Sequence, residues 1–149
     1  MPVLRRLVVV LSQFSTSIQI KTALTSSNKE TIMASDLKID YIEMPASDFD
    51  AVQTFYEAVF SWTFEDYGAE YRAFSDGKLD GGFYRSSQRS SADEGAPLVI
   101  FYADDLEAVE KAVIAAGGNI VKPIFSFPGG RRFQFTDPHG NELAVWTHS

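Results

Sequence analysis

The stretch ASDFDAV at residues 46–52 returns as ADDLEAV at residues 103–109, an offset of 57 positions. Each copy follows a short apolar segment with the composition of a strand, at 39–44 in the first case and 98–102 in the second. Each copy also opens a segment whose apolar residues recur every three or four positions, which is typical of an amphipathic helix. We therefore predict a duplicated strand–helix unit.

Residues suited to helix ends flank both predicted helices. Gly117-Gly118 follows the second helix, at a place where glycine readily takes the positive φ that ends many helices. At the helix starts, side-chain oxygens are available to accept the free amide protons of the first turn. The candidates for this N-cap role are Ser47 or Asp48 in the first copy and Asp104 or Asp105 in the second.

Three further strand candidates follow each helix, which gives an α+β fold of two βαβββ modules. We place module 1 at about 37–85 and module 2 at about 97–147, within a single domain at 33–149. The polar run at 86–96 joins them and is predicted to be a mobile linker. The strand candidates after the helices are 63–67, 71–75 and 81–84 in module 1, and 119–127, 131–136 and 142–146 in module 2.

The composition excludes several classes of function. The chain has 149 residues and no cysteine, which excludes disulfides, thiolate metal sites and a cysteine nucleophile. Residues 1–32 contain four basic residues and one acidic residue, so the rest, with nine basic and 19 acidic residues, carries a net charge of −10. An acidic surface repels phosphate backbones and anionic lipids, and the apolar run at 7–11 is too short to span a bilayer. We expect neither nucleic acid nor a membrane as a partner.

Residues 1–32 differ in character from the rest, being basic and rich in serine and threonine. We interpret them as an extension outside the fold, with Met33 resembling a start residue just before the first strand. The alternatives are a cleaved targeting peptide and an arm that packs on a partner. The expected location is the cytoplasm, or an organelle or the outside of the cell if the segment is a targeting peptide.

Local motifs reinforce the duplicated pattern. They are FYEAVFSW at 55–62, with Ser61 where glycine is commoner, Gly81-Gly82-Phe83 in the fourth strand, and the turn DPHGN at 137–141 before the last strand. In this order they resemble the vicinal oxygen chelate superfamily, which includes glyoxalase I, bleomycin and fosfomycin resistance proteins and extradiol dioxygenases. The resemblance covers about residues 37–147. It implies two four-stranded curved sheets that enclose a cavity, outer helices, a small-molecule ligand and a homodimer.

The resemblance also implies where a metal would bind. Metal-dependent members hold a divalent ion with His and Glu side chains from the first and last strands of the modules. The corresponding positions here carry Tyr41, Leu98 and Ala144. None of the three supplies an imidazole or carboxylate, the side chains that a divalent ion with water in its shell requires. We therefore expect no metal and no other cofactor, with a divalent metal on atypical ligands as the alternative.

Strand alternation selects the candidate site residues, because every second side chain shares one face of a sheet. Glu43 and Glu142 are the candidates for acid–base catalysis, since a carboxylate in an aromatic pocket can have a raised pKa. The alternative for both is a solvated or paired surface group. The candidates for ligand binding are Tyr41, Tyr102, Arg132, Gln134 and Trp146, with Arg131 and Phe133 as the alternative to Arg132 and Gln134 if the other face of that strand lines the cavity.

Three functions remain open. The first is a metal-free protein that binds a small, partly apolar molecule between its modules, either sequestering it or transforming it by acid–base chemistry. The second is a divalent-metal-dependent enzyme, of the lactoylglutathione lyase or dioxygenase type, with an atypical ligand set around Glu43 and Glu142. The third is a non-catalytic interaction module whose cavity is filled by its own aromatic side chains.

Overall fold

The computed structural model describes residues 37–148, so the predicted extension at residues 1–32 lies outside it. The chain forms the same five elements twice, in the order strand, helix, strand, strand, strand. Within residues 37–148 no helix combines the length and the apolar composition needed to cross a membrane. The elements of module 1 are β1 (Tyr41–Ala46), α1 (Phe49–Phe60), β2 (Thr63–Asp66), β3 (Tyr71–Ser75) and β4 (Asp80–Arg85). Those of module 2 are β5 (Val99–Tyr102), α2 (Leu106–Ala115), β6 (Asn119–Phe127), β7 (Gly130–Thr136) and β8 (Glu142–His148).

Each module contributes one mixed four-stranded sheet. The strand order is β1-β4-β3-β2 in sheet 1 and β5-β8-β7-β6 in sheet 2. The first strand of each module pairs in parallel with the last strand, and the other pairs are antiparallel. This confirms the predicted α+β fold of two βαβββ modules. The two sheets are not closed into a barrel, and β1 and β5 are edge strands of their sheets.

One hydrophobic core serves both modules. Alternate residues of the two sheets, together with the buried faces of both helices, belong to a single cluster of buried side chains. We call the sheet faces turned toward this cluster inner faces, and the opposite sides outer faces. Stacked and edge-on aromatic rings connect the modules, with Phe60 lying 4.3 Å from Phe101 and 6.0 Å from Phe135 between ring centroids. Aromatic rings therefore fill the core where the inner faces of the two modules meet, and the predicted cavity residues lie on the outer faces.

The helix ends follow the sequence pattern. Asp48 accepts hydrogen bonds from the backbone amides of Asp50 and Ala51, and Asp105 accepts one from Ala108, so the second member of each candidate pair is the N-cap. Gly117 has a φ of 94°, as predicted for the residue after α2. After α1 the left-handed position is occupied by Ser61, with φ 57°, a conformation that a side chain with a Cβ adopts less readily than glycine.

A buried carboxylate connects the second module to the first. Asp137 accepts three backbone hydrogen bonds at Oδ1 from the turn that follows it, each at 2.9 Å. Its Oδ2 accepts from the Tyr56 hydroxyl of α1 and from the Asn141 side-chain amide, each at 3.0 Å. The Asn141 amide also donates to the carbonyl of Pro45 in β1 at 2.8 Å. The turn before β8 is thus bonded to two elements of module 1.

The segment between the modules is hydrogen-bonded to the second module, whereas its polar composition predicted a mobile linker. Ser90 donates its amide to the Asn141 side chain at 2.9 Å and accepts from the Glu142 amide at 2.7 Å. A short 3-10 helix, Ala92–Glu94, follows, and its first amide donates to the Glu142 carboxylate at 2.9 Å. The acceptors that hold the segment lie 50 and 51 residues away in sequence. The composition of the segment alone therefore does not indicate these hydrogen bonds.

Candidate functional site

A network of two tyrosines and a glutamate occupies the outer face of sheet 1. The hydroxyls of Tyr41 in β1 and Tyr71 in β3 are 2.8 Å apart, although β4 lies between their strands. Gly82 of β4 makes this possible, because a Cβ at that position would lie 2.0 Å from the Tyr71 hydroxyl. Glu43 follows Tyr41 on the same strand face and is exposed. The absence of a side chain at one glycine thus brings three polar groups together.

Burial and charge fix the protonation state of the two tyrosines. Burial raises the pKa of Tyr71 well above its ordinary value of 10.0, and the hydrogen bond with Tyr41 and the Glu43 carboxylate raise this pKa further. Burial also raises the pKa of Tyr41, an effect that the hydrogen bond with Tyr71 partly offsets. Both hydroxyls therefore keep their protons at physiological pH. Both are thus available as hydrogen-bond donors.

An open cleft of about 750 Å³ adjoins this network. Glu43, Pro45 and Tyr84 of sheet 1 line one side, and His139 with residues of the segment 87–96 line the other. A volume of this size accommodates a small organic molecule. His139 helps to build the wall, since its Nδ1 accepts the Ser47 amide at 3.2 Å and its Nε2 lies 2.7 Å from the carbonyl oxygen of residue 88.

The predicted ligand-binding residues of module 2 lie together on the outer face of sheet 2. Trp146 of β8 is paired with Tyr102 of β5 on one side and with Arg132 of β7 on the other. The rings of Tyr102 and Trp146 meet edge-on at 5.4 Å between centroids. Gln134 lies two residues beyond Arg132 on the same face and is buried, with 6% of its surface exposed. These four residues therefore share one face of sheet 2, on a different sheet from Tyr41 and Glu43, and their role in ligand binding stays a prediction.

The carboxylate of Glu142 is held by hydrogen bonds within the protein. Its Oε1 accepts a hydrogen bond from the Gln134 side chain at 2.7 Å, and its Oε2 accepts from the amide of Ala92 at 2.9 Å. Both carboxylate oxygens thus have a protein donor, and one of these bonds holds the segment between the modules. This arrangement favours the second interpretation, a paired group, for Glu142. Of the two glutamates, Glu43 is the one that faces the cleft.

The donor set does not fit the divalent metal that the fold family implies. Tyr41 uses its hydroxyl with Tyr71, Ala144 is fully buried without a donor atom, and Leu98 is apolar. Among residues 37–148 no group of three or more His, Asp or Glu side chains is close enough to share an ion. A protein site for such an ion generally needs about three converging ligands.

Tyr71 is the site residue that sequence reasoning missed. It was assigned to a strand candidate without a role, because nothing local distinguishes it from the other tyrosines of the chain. The available signal was the Gly81-Gly82 pair in the neighbouring strand, since glycine in a strand interior often marks a place where another group approaches closely. Gly82 has that function for the Tyr71 ring.

Comparison with known proteins agrees with this architecture. The family model of the Glyoxalase/Bleomycin resistance protein/Dioxygenase superfamily matches residues 38–145. Anthracycline biosynthesis protein DnrV of Streptomyces peucetius is 33% identical over 124 residues, covering 71% of this chain and 45% of that protein. Anthracycline biosynthesis protein DauV of Streptomyces sp. (strain C5) is 32% identical over 124 residues, with the same coverage of 71% and 45%. The chain spans a little under half the length of these relatives.

Solved structures share the fold at low sequence identity. A glyoxalase-related enzyme from Fulvimarina pelagi superposes with a TM-score of 0.64 at 17% identity, covering 75% of this chain and 88% of that one. The fosfomycin resistance protein FosX from Listeria monocytogenes gives a TM-score of 0.63 at 14% identity, covering 75% of this chain and 93% of that one. These likenesses support the fold alone. Because the family match extends over most of the chain, this protein belongs to the Glyoxalase/Bleomycin resistance protein/Dioxygenase superfamily.

Proposed function

We propose that the chain binds a small, partly apolar molecule on its outer sheet faces and exchanges a proton with it, without a resident metal. The observation that carries this proposal is the hydrogen-bonded pair Tyr41–Tyr71 next to Glu43, at the wall of an open cleft. The network contains a carboxylate that accepts a proton and hydroxyls that donate hydrogen bonds. These are the two functions that proton abstraction next to a carbonyl group requires.

The spacing of the groups suits this chemistry. Tyr41 and Glu43 are two residues apart on one strand, so their side chains leave the sheet about 6–7 Å from each other. When the Tyr71 hydroxyl donates a hydrogen bond to the Tyr41 oxygen, the Tyr41 hydroxyl is free to donate a hydrogen bond to a ligand oxygen. Glu43 then takes the proton from the neighbouring carbon, and the negative charge that develops on the ligand oxygen is stabilised by the Tyr41 hydroxyl. No cofactor enters this step.

The relatives support a small organic ligand. DnrV and DauV are described as anthracycline biosynthesis proteins, and FosX as a fosfomycin resistance protein. The compounds in these descriptions differ in structure but are all small molecules. For this chain they favour a small-molecule ligand over an interaction module, and the open cleft beside Glu43 supports the same choice.

We also propose a homodimer in which the edge strands β1 and β5 are covered. Ile100 and Tyr102 on the outer face of β5 have 44% and 50% of their surface exposed. β5 is an edge strand, and so is β1, which carries Tyr41 and Glu43. Edge strands with exposed apolar side chains are commonly covered by another chain. Light scattering at micromolar concentration is expected to give twice the monomer mass of 16.5 kDa, and a monomer would contradict this part of the proposal.

The proposal is tested with protein dialysed against EDTA and screened by thermal shift with a panel of neutral aryl ketones and phenols. For ketones that bind, exchange of the carbon-bound protons next to the carbonyl is followed by NMR in D₂O. Binding and exchange are expected to survive EDTA treatment. Glu43→Gln should abolish exchange, whereas Glu65→Gln, at an exposed carboxylate on the same sheet, should leave it unchanged.

Three results would contradict the proposal in different ways. Binding that appears only after addition of zinc, nickel, manganese or iron(II) would favour the metal-dependent alternative. Binding without proton exchange would leave sequestration as the function. No binding by any member of the panel would favour the interaction module.

A further inference from the structure

Among the described residues, Arg132 lacks the carboxylate partner that Arg72, Arg85 and Arg131 have. Arg72 bonds to Asp50 at 2.6 Å, and Arg131, the neighbour of Arg132 in sequence, bonds to Glu107 at 2.5 Å. No carboxylate among residues 37–148 lies within ion-pair distance of Arg132. Its Nε atom is buried and has no hydrogen-bond partner in this part of the chain, as is also true of the Arg72 Nε, but Arg72 has carboxylate partners for its other nitrogens and Arg132 has none. A buried charged donor without a partner is unfavourable, so an acceptor from outside the described residues would relieve it.

The surroundings of Arg132 are aromatic on both sides. Its guanidinium carbon lies 5.1 Å from the ring centroid of Phe125 and 5.7 Å from that of Phe127. On the opposite side β8 places Trp146 directly across from it, and Tyr102 follows on β5. The strand register therefore aligns one residue from each strand in a single row, which we call the aromatic row. Its members are Phe125, Arg132, Trp146 and Tyr102.

A second cation adjoins the row. The Lys122 ammonium lies 5.5 Å from the ring centroid of Phe125, and no carboxylate among the described residues pairs with it. Glu142, on the same face of sheet 2, already accepts hydrogen bonds with both oxygens. Asp104 accepts the hydroxyl of Tyr102 at the far end of the row, at 3.0 Å. A chain with a net charge of −7 thus carries two cations, Lys122 and Arg132, against Phe125 at one end of the aromatic row.

We infer that the aromatic row binds a flat aromatic molecule that carries a carboxylate. The carboxylate accepts hydrogen bonds from the guanidinium of Arg132, whose planar fork matches two carboxylate oxygens. The ring lies against Trp146 and Tyr102, where flat surfaces interact favourably. This inference goes beyond the proposed function, because the aromatic row lies on sheet 2 and the proposed proton exchange takes place at Glu43 on sheet 1.

The aromatic rings and the Arg132 charge of the row each favour a different part of the ligand. A neutral aromatic molecule gains the contact with Trp146 but leaves the Arg132 donor unpaired. A small aliphatic carboxylate reaches Arg132 but leaves the rings exposed. Only a molecule with both features satisfies both parts of the row, and this combination is what makes the inference testable on the unmodified protein.

The test measures the binding of 2-naphthoate, its neutral amide 2-naphthamide, and acetate by isothermal titration calorimetry. Loss of a charge-assisted hydrogen bond typically weakens binding roughly ten- to a hundredfold. We expect this difference between 2-naphthoate and 2-naphthamide, and no detectable binding of acetate. Trp146 fluorescence should be quenched by 2-naphthoate, because the other tryptophan, Trp62, is buried with 6% of its surface exposed.

Adjacent arginines supply the matched control variants. Arg132→Gln should weaken 2-naphthoate binding to the level of 2-naphthamide, and Arg132→Lys should give an intermediate affinity because it keeps the charge and loses the fork. Arg131→Gln removes an equal charge one residue away, from a side chain that is paired with Glu107, and should leave the affinity unchanged. Circular dichroism confirms that each variant is folded before the titration.

Several outcomes would overturn the inference. Equal affinities for 2-naphthoate and 2-naphthamide would show that Arg132 does not select a carboxylate. A second such outcome is that Arg132→Gln leaves 2-naphthoate binding unchanged but alters the oligomeric state, measured as the molecular mass in solution. That result would show that Arg132 contacts a second copy of the chain. If 2-naphthoate does not bind while a neutral ketone binds and exchanges protons through Glu43, the inference fails and the proposed function stands. If no compound of either set binds, both fail.

Discussion

Replacing Tyr56 by phenylalanine removes one hydrogen-bond donor from the interior and leaves the packing intact. Tyr56 is fully buried, and its ring stacks on Trp62 at 4.3 Å and lies 5.5 Å from Phe83. Its hydroxyl donates to Oδ2 of Asp137 at 3.0 Å. Phenylalanine preserves these ring contacts, while the carboxylate loses a donor that water cannot easily replace at a buried site. A hydrogen bond to a charged group contributes roughly 1.5–3 kcal/mol, so we expect Tyr56→Phe to lower the free energy of unfolding by about 2 kcal/mol at neutral pH.

The pH dependence of this loss follows from the pKa of Asp137. Burial raises that pKa above its ordinary value of 3.8, while hydrogen bonds from Asn141, Tyr56 and Gly140 oppose the rise. A carboxyl group whose pKa is raised by folding binds protons more tightly in the folded state. Its contribution to stability is therefore present below pH 3.8 and declines as pH rises through the folded pKa. Without the Tyr56 donor this pKa rises further, so the cost of the substitution is largest at neutral pH and shrinks when Asp137 is protonated.

Urea unfolding followed by circular dichroism at neutral pH and near pH 3.8 measures both effects. Tyr102→Phe is the matched control, because it deletes the same hydroxyl from an exposed tyrosine that donates to Asp104 at 3.0 Å. We expect that control to leave the unfolding free energy nearly unchanged, since water replaces the lost partner at the surface. A loss in Tyr56→Phe that is the same at both pH values would refute the electrostatic reasoning. A loss in Tyr102→Phe as large as in Tyr56→Phe would refute the importance of burial.

Three further substitutions test local features. Ser61→Gly should raise the free energy of unfolding by about 1 kcal/mol, because glycine adopts the left-handed conformation at φ 57° without strain; an unchanged melting temperature would contradict this. Gly82→Ala should cost roughly 1–3 kcal/mol in urea unfolding, since its Cβ would collide with the Tyr71 hydroxyl; a neutral effect would mean that Tyr71 moves freely. Glu142→Gln should cost roughly 1–2 kcal/mol, because one of the two oxygens that accept from Gln134 and Ala92 becomes a donor. Proton exchange by Glu142→Gln should match that of the unmodified protein, and its loss would restore Glu142 as a catalytic residue.

The sequence predicted the fold because its signals are local and occur twice. The motif at 46–52 and its copy at 103–109 fix the start of a helix in each half, and Asp48 and Asp105 cap those helices. Turn residues then divide the remainder into strands whose observed bounds differ from the predicted ones by two residues or fewer. The repeat also implies that the two halves form similar sheets, as they do.

The site was only partly predictable, because strand parity identifies a face and not what covers it. Parity correctly placed Tyr102, Arg132 and Trp146 on one face of sheet 2. Parity placed Glu142 on the same face, available for a ligand. Its carboxylate instead accepts a hydrogen bond from a backbone amide 50 residues away in sequence. The segment that supplies this amide has a composition typical of an untethered linker. Contacts of this kind depend on tertiary structure, and no local pattern reports them.

The proposed metal-free chemistry has a structural basis on the outer face of sheet 1. Tyr41 occupies a position where the family resemblance implies a metal ligand, and a phenol there is a poor ligand for a divalent ion as long as it keeps its proton. Its contact with Tyr71 depends on the glycine at position 82, since any side chain there would displace the Tyr71 ring. Burial then raises both tyrosine pKa values, which makes metal coordination by phenolate still less favourable. The three positions therefore act together: restoring an imidazole at position 41 alone would leave it facing a buried hydroxyl of Tyr71, and would not recreate a set of converging ligands.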